Sequence, residues 1–220
     1  MKNIKAIIFD AYGTLFDVNS AAEKCKVKIG DKWQNFANYW RTTQLEYTWL
    51  RSLMKRHKDF WQVTEDSLDK SIKAFEINAS MRKELLDQYK ILSPYKEVEE
   101  TLKTLKEKKF KLAILSNGTH ALLNELVKNN NLENLFDDLF SIDDVGVYKP
   151  DPKVYDIPIK KYGFEKNEIA FLSANTWDVS GGGNYGYNAI WVNRNKNIFD
   201  KLDYNPNYEI RNLSELLRII

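Results

Sequence analysis

The chain has one cysteine, Cys25, in 220 residues. An intrachain disulfide and a thiolate metal cluster are both out of reach, and the expected compartment is a reducing one, the cytoplasm. Charge of one sign is missing too: 33 Lys and Arg stand against 31 Asp and Glu, a formal net charge of +2. That balance argues against nucleic acid and anionic membrane as partners, and the lysine-rich run at 106–111 reads as a solvated helix end and loop. No apolar run approaches the roughly 20 residues that span a bilayer. The first residues lack the charged, apolar, small-residue progression of a signal peptide. Internal repeats and low-complexity segments are absent, and Gly181-Gly182-Gly183 reads as a tight local turn.

With 43% hydrophobic and 29% charged residues, the composition is that of an ordinary globular protein. The length suits one sizeable core, or a core with a smaller domain inserted.

The most informative stretch is IKAIIFDAYGTLF, residues 4–16. Ile7, Ile8 and Phe9 show no alternation with polar residues, which predicts a strand covered on both faces, as in a parallel sheet. Asp10 follows at its C-terminal end, the edge where open α/β sheets bind ligands. Gly13 and Thr14 allow a sharp turn whose amides point back at the acid. An Asp in this position also serves as a helix cap, so the strand and the acid alone leave both readings open.

From residue 17 to 92 the pattern is helical. Ala21, Ala22 and Cys25 share a face. The segment 32–57 carries aromatics three and four apart and predicts one long amphipathic helix, or two with a bend. Two more helices are expected, at 64–77 with Thr64 as cap and at 80–91 with Ser80 as cap. After Pro94, strands and helices alternate: helix 97–108, strand 111–115, helix 124–130, strand 139–142, helix 154–162, strand 169–172, strand 189–192 and a helix from about Leu213. Such alternation argues for a parallel sheet wrapped on both sides. The expected organisation is a discontinuous α/β core, residues 1–16 and 93–220, with a helical cap, residues 17–92.

Four strand ends carry polar residues: Asp10; Ser116 and Asn117; Lys149 in GVYKPDPKVY; and Ser173 to Asp178 in SANTWD. Each alone is a weak signal, since loops everywhere hold such residues. In this order they resemble the four motifs of the haloacid dehalogenase superfamily over the whole core. Most members are magnesium-dependent phosphatases, with a second Asp two residues after the nucleophile and a Gly-Asp pair in the last motif. This chain has Tyr12 at the first place and Ser173-Ala174 at the second, and Ala174 offers magnesium no oxygen ligand. An Asp nucleophile ringed by neutral donors suits expulsion of a leaving group that needs no proton, such as halide.

FDAYGTLFDV, YWRTTQLEYTWLRSLM, ILSNG, VYKPDPKVY and FLSANTWDVSGGGNYGYNAIWVNR are similar to the L-2-haloacid dehalogenases, the metal-free branch of that superfamily. The resemblance implies a Rossmann-like α/β core with a four-helix-bundle-like cap, no cofactor, a 2-haloacid substrate and a homodimer joined through the cap helix. It also implies roles. Asp10 would attack C2 of the substrate. Arg41 and Asn117 would receive the halide, and Ser116 with the backbone amides after Asp10, Ala11 first, would hold the substrate carboxylate. Lys149 would offset negative charge, supported by Thr14, Ser173 and Tyr155. Asn175 and Asp178 would position and activate the hydrolytic water, and Tyr12, Leu45, Phe60 and Trp177 would line the pocket for the alkyl chain. Thr42 stands where the family has Gln, which bears on substrate range through a wider pocket. Two alternatives remain at this point: a magnesium-dependent phosphatase, and a non-catalytic protein that binds a partner through the cap.

Overall fold

The computed structural model describes Met1 and residues 3–220. Its centre is strand β1, Ala6–Phe9, every residue of which is fully buried. Four consecutive apolar residues require cover on both faces, and a parallel sheet under helices supplies it. β2 (Lys111–Ser116) and β4 (Ile169–Ser173) flank β1. β3 (Asp138–Ser141) lies outside β2, and β5 (Asn188–Val192) and β6 (Tyr208–Ile210) continue beyond β4. All pairs are parallel, in the order β3-β2-β1-β4-β5-β6.

This order reverses direction between β1 and β4. The chain steps outward from β1 to β3, then returns to the other side of β1 and steps outward again. Right-handed crossovers then set α6 (Val98–Glu107) and α7 (His120–Asn129) on one face, and α8 (Pro152–Tyr162) and α9 (Thr176–Tyr185) on the other. A crevice opens at the C-terminal ends of β1 and β4, where the two directions part.

Between β1 and α6 in sequence come α1 (Ser20–Lys24), α2 (Lys26–Ile29), α3 (Trp33–Leu53), α4 (Phe60–Ala74) and α5 (Arg82–Tyr89). The predicted 32–57 helix is thus a single helix that stops at Leu53. Phe36, Ala37, Trp40, Thr43, Gln44 and Thr48 are its buried positions, three and four apart as one helical face requires. α3 packs along α4, where the Trp40 indole Nε1 donates to the Thr64 carbonyl at 3.1 Å.

Several sequence expectations are corrected. Thr64 lies inside α4; Asp59 caps that helix by accepting from the Gln62 amide at 2.9 Å. Ser80 caps nothing, because Asn78 caps a 3-10 turn at Ala79–Met81 that runs into α5. The C-terminal segment Leu213–Arg218 is 3-10 rather than α. Three-residue β6 carries two exposed residues and no apolar run to reveal it.

The largest correction is Gly181-Gly182-Gly183, which sits inside α9. Here glycine serves close approach. A Cβ on Gly181 would lie 2.5 Å from the Tyr155 hydroxyl, on Gly182 2.6 Å from Phe171 Cδ1, and on Gly183 2.0 Å from the Tyr204 ring. The bare helix lets α9 press onto β4 and carry Asp178 into the crevice.

Candidate active site

Asp10 continues the β1 ladder by donating its amide to the Leu172 carbonyl at 2.8 Å, which brings its carboxyl to the crevice. The side chain is 7% exposed. Oδ2 accepts from the Thr14 hydroxyl at 2.9 Å, from Asn175 Nδ2 at 3.0 Å and, more distantly, from the Ser173 hydroxyl at 3.5 Å. Oδ1 accepts from the Lys149 ammonium at 3.2 Å. A buried carboxylate needs such donors, and these hold it oriented.

The turn after Asp10 differs in one respect from expectation. The sharp turn is there, with Gly13 at φ +92°, but its amide donates to the Phe16 carbonyl at 2.7 Å. The Leu15 and Phe16 amides both go to the Ala11 carbonyl at 3.0 Å. These amides close the turn on itself, and the Thr14 hydroxyl is the group that reaches Asp10. Thr14 Oγ1 also accepts from the Ala174 amide at 2.8 Å, tying the first loop to the last. Arg194, which sequence reading passed over, secures the same loop: its Nη2 donates to the Thr14 carbonyl at 2.8 Å and its Nη1 to Glu97 at 2.6 Å.

Lys149 is fully buried and bridges two acids, Asp10 and, at 2.9 Å, Asp178 Oδ2. The Tyr155 hydroxyl donates to Asp178 Oδ1 at 2.7 Å. Burial pushes the Asp178 carboxyl up to about 6; Lys149 opposes the rise, Asp10 adds to it, and the Tyr155 hydrogen bond lowers it further. Tyr155 itself is lifted well above the phenol range by burial first and then by Asp178. It therefore stays a neutral donor. Asn117 Oδ1 accepts from the Lys149 amide at 3.0 Å, which holds the Lys149 loop against the end of β2 and turns the Asn117 NH2 away from it. Ser116 Oγ accepts from the Gly118 amide at 3.0 Å.

Above the crevice, half-buried Arg41 reaches down from α3. Nη2 donates to the Tyr12 carbonyl at 3.3 Å and Nη1 to Gln44 Oε1 at 2.8 Å. Tyr12 and Phe60 are in ring contact at 5.2 Å, and Tyr12 stacks on Tyr89 at 5.7 Å. Leu45, half-buried, follows Arg41 by four residues on the same helix face. Trp177 stands apart from the Tyr12 rings. It meets Trp49 edge to face at 5.4 Å, and the two help line a cavity of about 620 Å³ with Leu53, Tyr148 and Leu202. Tyr148 joins the groups by packing on Phe60 at 6.4 Å.

Thr42 is exposed on α3. It faces away from the crevice, so the expected widening of the pocket through this residue does not arise. The polar residue beside Arg41 is instead Gln44, three residues along the helix and buried.

A family model, that of the haloacid dehalogenase-like hydrolases, matches residues 4–186, a span that holds the carboxylate at the switch point, its lysine and the three companion loops. The chain belongs to this family. Within the family its relatives include the (S)-2-haloacid dehalogenase of Pseudomonas fluorescens, 40% identical over 218 residues, 98% of this chain and 96% of that one. A solved dehalogenase structure superposes with a TM-score of 0.98 at 35% identity, covering 100% of this chain and 98% of the other. The L-2-haloacid dehalogenase from Xanthobacter autotrophicus, solved with chloropropionic acid covalently bound, gives 0.91 at 32% identity over 98% of both chains.

Proposed function

We propose that the chain hydrolyses L-2-haloalkanoic acids to D-2-hydroxy acids and halide through an ester on Asp10. The observation that carries this is Asp10 itself: a nearly buried carboxylate at the sheet edge, surrounded only by donors, with an arginine overhead. Oδ1 has a single partner, Lys149, and so is the freer oxygen to attack C2. The Asp10–C2 bond forms as the carbon–halogen bond breaks, the halide leaves with the bonding pair, and in-line displacement inverts C2.

Arg41 and the Asn117 NH2 receive the halide, while Ser116 and the Ala11 amide hold the substrate carboxylate. Tyr12, Leu45 and Phe60 face the alkyl chain, with Trp177 toward the outer cavity. Water then attacks the Asp10 carbonyl carbon, positioned by Asn175. Its proton passes to Asp178, whose pKa near 6 suits a base at neutral pH. The ester breaks on the Asp10 side, the product keeps the former Asp10 oxygen, the proton returns to the product alkoxide, and the second water proton leaves Asp10 for solvent to restore the carboxylate. Thr14, Ser173, Lys149 and Tyr155 hold the acids in register throughout. Residues 17–92 serve as a cap over a core made of residues 1–16 and 93–220.

The magnesium-dependent phosphatase reading has less support. Tyr12, buried at 3% exposure, and Ala174 occupy the places where that chemistry uses acids, and among the described residues no group of three or more His, Cys, Asp or Glu is arranged to hold a metal ion. The exposed Leu50, Leu53 and Met54 at the end of α3 supply a surface for a second copy, and the single cysteine fits a cytoplasmic home. Among the described residues no helix is long and apolar enough to cross a membrane.

The test is halide release from L- and D-2-chloropropionate with and without excess EDTA. Release from the L form alone, indifferent to chelator, supports the proposal. Failure with both forms refutes it and turns attention to phosphate esters with magnesium, then to a binding role for the cap.

A further inference from the structure

Gln44 is 1% exposed, lies on α3 beside Arg41, and has no part in the chemistry above. A side chain this polar stays buried only when its hydrogen bonds are made. Its amide nitrogen is used by α4 and α5, and its oxygen by the arginine. The Thr64 hydroxyl donates to the Phe60 carbonyl at 2.7 Å, so toward Gln44 its oxygen can only accept, and it does so from Gln44 Nε2 at 2.7 Å. The second Nε2 hydrogen goes to the Tyr89 hydroxyl at 3.0 Å.

With the amide nitrogen fixed on that side, Oε1 must face Arg41 Nη1 at 2.8 Å. The opposite amide orientation would set donors against the guanidinium and leave Thr64 without its proton. Donation therefore runs from Arg41 through Gln44 and Thr64 to the Phe60 carbonyl, whose fixed position sets the order of the chain. Tyr89, which anchors the amide, also stacks on Tyr12, whose carbonyl takes the other arm of the fork. Both ends of the guanidinium are thereby set from one buried network.

We propose that Gln44 is a positioning residue that aims Arg41 at the departing halide while leaving its charge intact. The inference rests on the reading of Arg41 as a halide receiver. A neutral amide is the chemistry this task needs. A carboxylate in its place would pair with the guanidinium and cancel the charge that the halide requires, and an apolar side chain would leave a five-donor fork with several rotamers open to it.

The experiment compares Gln44→Leu, Gln44→Glu, Thr64→Val and Arg41→Ala with the parent enzyme. It measures kcat and KM on L-2-chloropropionate, inhibition by added bromide, and the unfolding midpoint. Gln44→Leu is expected to lower kcat by about five- to tenfold, the worth of one hydrogen bond, with KM changed less than twofold. Gln44→Glu is expected to lose about a hundredfold, to bind bromide more weakly, and to recover as the pH falls and the new carboxyl takes a proton. Thr64→Val removes the group that orients the amide without touching Gln44, and a fall in kcat of about threefold is expected; this variant decides the matter if Gln44→Leu does not fold.

Parent-like kcat and bromide inhibition in the folded variants would overturn the inference, as would a lowered unfolding midpoint with no kinetic change. An inactive Arg41→Ala beside unaffected Gln44 variants overturns this inference alone. A fully active Arg41→Ala overturns it together with the reading of Arg41.

Discussion

Replacing Lys149 by Met keeps much of the side chain's length and removes its charge from between two buried acids. The ammonium lies 3.2 Å from Asp10 and 2.9 Å from Asp178. At an effective dielectric of about 20, unit charges at those separations attract by about 5 and about 6 kcal/mol. Desolvation of all three groups offsets most of that, so the net loss expected on removing the shared cation is about 3–5 kcal/mol, the usual result when a buried charge loses its partner. The sign with pH follows. Without Lys149, which opposes the rise, the folded-state Asp178 carboxyl climbs further above its unfolded value of about 4. Groups raised in the folded state contribute least at high pH and regain stability as the pH falls through those raised values. Urea unfolding of Lys149→Met and the parent at pH 8 and pH 5 checks this: the deficit is expected in full at pH 8 and markedly reduced at pH 5. An equal deficit at both values would refute the electrostatic argument and leave packing as the cause.

Asp10→Asn is expected to reduce halide release at least about ten-thousandfold while circular dichroism stays unchanged, because the amide keeps the shape and loses the nucleophile. In the parent enzyme, rapid-quench measurement of ester breakdown is expected to show a rate falling about tenfold per pH unit below about 6, as Asp178 becomes protonated. A flat profile down to pH 5 would remove Asp178 as the base. Gly182→Ala would bring a Cβ to 2.6 Å from Phe171 Cδ1; calorimetry is expected to show a midpoint lower by roughly 3–10 °C, the overpacking cost for a chain of this size.

The strands that hold the site were legible because burial on both faces leaves an unbroken apolar run, as in Ile7, Ile8 and Phe9 or in IAFL. The order of polar strand ends then brought Asp10, Lys149, Asn175 and Asp178 together, and the structure places all four within one hydrogen-bonded cluster. What escaped reading depended on neighbours distant in sequence. Glycine propensity favours a turn at 181–183, yet Tyr155, Phe171 and Tyr204 leave no room there for a side chain. Thr64 and Ser80 have cap chemistry, but Asp59 and Asn78 stand at the actual helix starts. Gln44 was hidden among polar residues of an aromatic-rich helix, because its burial depends on α4 and α5 closing over it.

The placement of β1 has a consequence for how the chain is made. Its sheet partners, β2 and β4, begin at residues 111 and 169, so the most apolar strand emerges about 100 residues before anything can pair with it. At a synthesis rate of about 5–20 residues per second, that interval lasts roughly 5–20 s. During it the helices α1 to α6 are what the described chain offers to shelter β1. A nascent chain halted before β2 would therefore present a sticky strand and a helical bundle, and no nucleophile in a site, since Asp10 acquires Lys149, Asn175 and Asp178 only when the last third of the protein has been synthesised.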